Sequence, residues 1–97
     1  MCAYVVMIRD QTVNPEELER YTKLAKSARE GHEITPLVRY GAINVLEGPK
    51  AEGCLIHKFP TMKEAKNWYQ SDKYQEAIKH RHNGAKYRVM IVDGVED

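Results

Sequence analysis

Apolar runs near both ends of the chain, two adjacent strand-like segments in its middle and two capped helical stretches predict an α+β domain. Their order is βαββαβ, which gives a four-stranded antiparallel sheet with helices on one face, the ferredoxin-like arrangement. The 97 residues make one such domain, residues 1–97, with no room for a second.

Ala3 to Ile8 (AYVVMI) is a short, β-branched apolar run that fits a well-buried strand. Asn14-Pro15-Glu16-Glu17 opens a helix: Asn14 caps, Pro15 suits the first turn, and Glu17 stands where a capping box closes. Leu18, Tyr21, Ala25 and Ala28 recur at helical spacing, and Gly31 is placed to stop the helix. The segment PLVRYGAINVLEG alternates throughout and predicts one long second strand, bulged at Gly41. Gly48 to Gly53 is a turn. Cys54 to Phe59 is a third strand with Leu55, His57 and Phe59 on one face, so the two strands form a hairpin. Thr61 and Glu64 form a capping box for a helix to about Tyr69. Ser71 caps its continuation, which Asn83-Gly84 ends, and Tyr87 to Val92 is the last strand.

The first and last strands are apolar almost throughout, and the second carries apolar residues in both alternating sets. A sheet with one wet face alternates more cleanly. A second subunit covering the open face accounts for this, so a homodimer packed through its sheets is expected.

Composition narrows the function. A hydrophobic share of 42% and a charged share of 30% describe a folded soluble domain. A net charge of +1 argues against a nucleic-acid or anionic-membrane surface. No segment approaches the roughly 20 apolar residues of a membrane span. Met1 to Ile8 is too short for a secretory leader, with Arg9-Asp10 following at once. Cys2 and Cys54 stand apart and read as reduced thiols of a cytoplasmic protein.

Arg39-Tyr40-Gly41, Leu46-Glu47-Gly48, Phe59-Pro60-Thr61, Trp68-Tyr69-Gln70-Ser71 with Tyr74-Gln75, and Arg81 occur in an order and spacing that resemble the family called domain of unknown function 1330, of the dimeric α+β barrel superfamily. The likeness runs from Tyr4 to about Gly94. Family members commonly read Arg-Gly-Gly where this chain has Arg39-Tyr40-Gly41, and carry an aliphatic residue at His57. The resemblance implies a dimer of ferredoxin-like subunits. It implies no one reaction, because the superfamily includes cofactor-free oxygenases, lactone isomerases, haem enzymes and non-catalytic binding modules.

Candidate site residues follow from chemistry and position. Arg39, in a buried strand, offers a charged planar fork to a carboxylate; its alternative is an ion pair with Glu47. Within one straight strand the two stand roughly 26 Å apart and cannot meet. Glu47, beside the turn, is a substrate-binding candidate, with a backbone cap or dimer contact as alternatives. His57 faces the helices, where burial favours its neutral form, able to act as a base. Trp68 and Tyr69 point about 100° apart and are expected to flank the buried stripe together. Tyr74, Ile78 and Arg81 share the next helix face. The expected pocket has His57 and Tyr69 as proton-moving residues, and Arg39, Glu47, Trp68, Tyr74 and Arg81 as ligand contacts; the alternative is core packing, with His57 a satisfied core histidine and Arg81 capping or pairing at the rim. His80 and His82, two apart on a helix, do not converge on one metal and, with His32, read as surface residues. No metal and no cofactor is expected; haem on His57 or His80 is a remote variant.

The expected function is therefore small-molecule binding, with an anionic ligand. Its catalytic version is a cofactor-free isomerisation, lactone opening or oxidation of a small organic acid. The alternative is a metabolite-binding or sensing module without chemistry. RNA binding would need paired stacking aromatics on the central strands, which Gly53 to Phe59 lacks.

Overall fold

The structure, a computed structural model, describes residues 1–95. Its elements are β1 (Ala3–Thr12), α1 (Pro15–Ser27), β2 (Thr35–Arg39), β3 (Gly53–Phe59), α2 (Met62–Gln70), α3 (Asp72–Gly84) and β4 (Ala85–Asp93). The four strands form one antiparallel sheet in the order β2-β3-β1-β4.

The pleat sorts side chains between two faces. Ala3, Val5 and Met7 of β1 and His57 and Phe59 of β3 are buried against Ala65, Trp68, Tyr74, Ala77 and Ile78 of α2 and α3. Register keeps them in rows across the strands: Val5 stands beside both His57 and Ile91, Met7 beside Leu55 and Val89, and Arg9 beside Gly53 and Tyr87. The opposite face carries Val6, Ile8 and Ile56, with Val38, Met90 and Val92 exposed.

Helix starts behave as the caps dictate. Asn14 accepts from the amides of Glu16 and Glu17, Thr61 from Glu64, and Ser71 from Tyr74. Glu17 departs from the expected capping box. Its carboxylate instead accepts from Nδ1 of His80 at 2.6 Å and pairs with Arg20 at 3.3 Å. The His80 bond, then Arg20, holds the Glu17 carboxyl below its ordinary range. His80 is accordingly a half-buried partner of α1, not a free surface ring.

The long second strand is not formed. β2 ends at Arg39, and Tyr40 takes a left-handed backbone with φ of 52°. Its amide still donates to Cys54 O at 2.8 Å, and the chain then leaves the sheet. Residues 41–50 are all exposed, and Leu46 is 85% exposed. Arg39 and Glu47 therefore share no strand.

α1 is locked to the far half of the chain at its start. Val13 N and Asn14 N both donate to Gly84 O, at 2.8 and 2.9 Å. A Cβ on Gly84 would stand 2.8 Å from Leu18 N and 3.2 Å from Asn14 O, both backbone atoms. Gly84→Ala is expected to cost about 1–3 kcal/mol through this overlap. The readout is a lower urea midpoint at unchanged m-value; an unshifted midpoint would mean the junction gives way freely.

Candidate functional site

α1 packs along α3 and stands away from the sheet, and the gap beneath it is a cavity of about 340 Å³. Its floor is Met7, Leu55 and His57. Trp68 and Tyr74 wall it from the α2–α3 side, Leu18, Tyr21 and Ala25 roof it from α1, and Tyr40 and Tyr87 line it from the sheet end. Small residues on the inner stripe of α1, such as Ala25, leave this space open.

Lys26, Arg29, Arg39 and Arg9 also line the cavity, and among the described residues no carboxylate does. Arg9 is held by Glu52 at 3.2 Å. Among the described residues no acid lies within ion-pairing reach of Lys26, Arg29 or Arg39. Lys26 and Arg39 are exposed and Arg29 is half-buried, so they rim the opening. The site thus has a cationic rim over aromatic and aliphatic walls.

His57 lies at its base, 5% exposed, with its ring edge-on to Trp68 at 6.3 Å. Its Nδ1 finds no hydrogen-bond partner among the described residues. Burial first, then the charges of Arg29 and Arg39, pull its pKa from 6.5 down to about 4. The imidazole is therefore neutral near pH 7, with an unused polar atom in a cationic surrounding. Such an atom is costly to leave bare.

Two phenol pairs complete the walls. Tyr21 and Tyr74 share a hydrogen bond of 2.7 Å, and Tyr74 also donates to Met7 Sδ at 3.8 Å. Tyr40 and Tyr87 share one of 2.8 Å. Burial pushes the phenols of Tyr21 and Tyr40 well up and raises that of Tyr74, so they serve as neutral hydrogen-bond groups.

Of the residues expected from the sequence, His57, Arg39, Trp68 and Tyr74 come together on the cavity. Trp68 does not flank the core as half of a pair. It is 2% exposed and central, with Tyr74 at 4.1 Å and Phe59 at 5.3 Å between ring centres. Tyr69, one position on, is half-buried and outside the lining. Glu47 is in the exposed segment after β2, away from the lining. Arg81 is buried at 3% exposure, its guanidinium between the rings of Tyr21 at 5.7 Å and Tyr87 at 5.2 Å. It lies behind the wall as a structural cation. Sequence reasoning missed Arg9, Tyr21, Lys26, Arg29, Tyr40 and Tyr87. The closeness of Tyr21 to Lys26 on α1 and to Arg29 just past its end held a signal, because a helix that buries an aromatic ring can bring cations in and just past its last turn to the same opening. Among the described residues no three His, Cys, Asp or Glu side chains gather as a metal site would need, and no helix is long and apolar enough to cross a membrane.

The family described as Domain of unknown function (DUF1330) matches residues 2–95. The chain belongs to that family. Solved structures share its fold. A protein of unknown function from Rhodopseudomonas palustris superposes with a TM-score of 0.73 at 16% identity, over 99% of this chain and 84% of that one. A dimeric protein of unknown function and ferredoxin-like fold from Bacteroides fragilis gives 0.57 at 13%, over 96% of both chains. SnoaB, a cofactor-independent oxygenase from Streptomyces nogalater, gives 0.61 at 7%, over 99% of this chain and 94% of that one. At these identities the likeness to this DUF1330 chain is one of fold. No curated protein matches the chain.

Proposed function

We propose that the cavity binds a small organic anion and that His57 moves a proton on it without a cofactor. The observation carrying this reading is a rim of three cations over a buried imidazole, the cations without an acid partner and the Nδ1 without a hydrogen bond among the described residues. Arg29 or Arg39 would hold the carboxylate. Its charge would offset the two guanidinium charges that hold the His57 pKa down, so the ring becomes a stronger base as the site fills. The fold shared with a cofactor-independent oxygenase is compatible with such chemistry and does not select it. The apolar open face of the sheet, and dimeric relatives of the same fold, support pairing of two copies through that face.

Trp68 is the chain's single tryptophan and lines the cavity, so its emission reports occupancy directly. Benzoate titration is expected to change that emission saturably, and Arg29→Ala and Arg39→Ala should each weaken binding about tenfold. Emission indifferent to benzoate and to other small carboxylates would sink the anion reading. The catalytic half is read from solvent deuterium entering C3 of phenylpyruvate in D₂O. Exchange that is accelerated by the protein and lost in His57→Gln supports it. Binding without accelerated exchange leaves a metabolite-binding module, the second reading, which the low proton affinity of His57 favours.

A further inference from the structure

We propose that Tyr40 sets the length of ligand the cavity accepts, so that the site takes a compact aryl carboxylate with an oxygen at its ring end. This rests on the anion-binding reading above and specifies its ligand.

The rows of the sheet give the cavity a direction. His57 and Gly53 are four residues apart on β3, roughly 13 Å. Arg29, just past the end of α1, acts on His57, while Arg39 stands in the middle row, paired with Leu55. The Gly53 end is the row that carries Arg9 and Tyr87, and Tyr40 closes it. Between lie Leu55 and Met7, which are apolar. A ligand with its carboxylate at Arg29 therefore points its other end at the Tyr40–Tyr87 hydroxyls.

Tyr40 is held as a stop. Its φ of 52° is a conformation that a tyrosine rarely adopts and a glycine adopts freely. The ring is pinned on three sides: the Arg9 guanidinium is 5.0 Å from its centre, a Cβ on Gly53 would fall 2.8 Å from its Cδ1, and its hydroxyl meets Tyr87 at 2.8 Å. Arg9 is itself fixed by Glu52. In a phenol pair one O–H donates to the other oxygen, which leaves the second O–H to donate elsewhere. An oxygen on the ring end of the ligand is the acceptor this end offers to meet.

The test is a ladder of acids read by Trp68 emission: benzoate, phenylacetate, 3-phenylpropionate, 4-phenylbutyrate and 5-phenylvalerate, with 4-hydroxyphenylacetate beside its parent. Affinity in the wild type should rise about fourfold per buried methylene and then fall sharply at a cut-off. Tyr40→Gly, which suits the backbone here, should move the cut-off to longer acids. Tyr40→Phe should keep the cut-off and lose about fivefold preference for the hydroxylated acid. A cut-off unmoved by Tyr40→Gly, in a variant that still binds benzoate, overturns the length stop and leaves anion binding intact. Silence of the wild type to the whole ladder overturns both.

Discussion

Trp68→Ala is expected to remove about 3–5 kcal/mol of folding stability, the range for deleting a large buried aromatic. The indole is 2% exposed and lies among Phe59, Tyr74 and His57, with ring centres 4.1 to 6.3 Å away. It joins α2, α3 and β3 at one point, and the neighbouring rings are too rigid to collapse into the space it vacates. One detail moderates the cost. Its Nε1 has no hydrogen-bond partner among the described residues, and removing an unsatisfied buried N–H relieves a penalty. Trp68→Phe, which keeps a six-membered aromatic ring and drops the pyrrole ring with its N–H, should leave a smaller void and cost less, about 1–2 kcal/mol. Urea unfolding followed by circular dichroism measures both. Equal losses for Ala and Phe would show that the whole indole, not a benzene-sized ring, is what the packing requires.

The second large effect is loss of stability in mild acid. His57 titrates at about 4 in the fold against 6.5 unperturbed, a difference worth roughly 3 kcal/mol. Above pH 6.5 both folded and unfolded chains hold a neutral ring, and the full stability is present. As pH falls from 6.5 toward 4, the unfolded chain takes up a proton that the folded chain refuses, so stability drains away across that window. The lowered carboxyls of Asp10, Glu17 and Glu52 act further down, as pH falls below their ordinary 3.8 and 4.5. Urea midpoints from pH 7.5 to 4.5 should slope down in the wild type and lie nearly flat in His57→Leu, which fills similar space without a titrating ring. A slope that persists in His57→Leu would assign the acid sensitivity to other groups.

The fold was readable because its signals were local. Asn14, Thr61 and Ser71 each cap the helix that follows them, and apolar β-branched runs mark the first and last strands. The second strand was overread for a physical reason. Alternation from Arg39 to Glu47 is what a strand needs, but a strand also needs a neighbour, and the left-handed turn at Tyr40 takes the chain off the sheet edge. His57, Trp68 and Tyr74 could be placed because the phase of a strand or helix fixes which way they face. Tyr69 and Arg81 share those helices, yet Tyr69 is turned outside the lining and Arg81 lies behind Tyr21 and Tyr87. The cavity itself was not legible. It exists because α1 leans on α3 rather than on the sheet, and that choice is made by tertiary packing.

The strand order has a consequence for synthesis. β1 precedes the other elements of this fold in synthesis and sits in the middle, bonded to β3 on one side and on the other to β4, which follows them all. Such pairings are far apart along the chain and slow to form. On the ribosome the central strand keeps one open edge until Asp93 has cleared the exit tunnel. Throughout translation Ala3–Thr12 is an apolar strand awaiting its partner, and a ribosome that stalls within α3 leaves on its nascent chain an edge that invites aggregation.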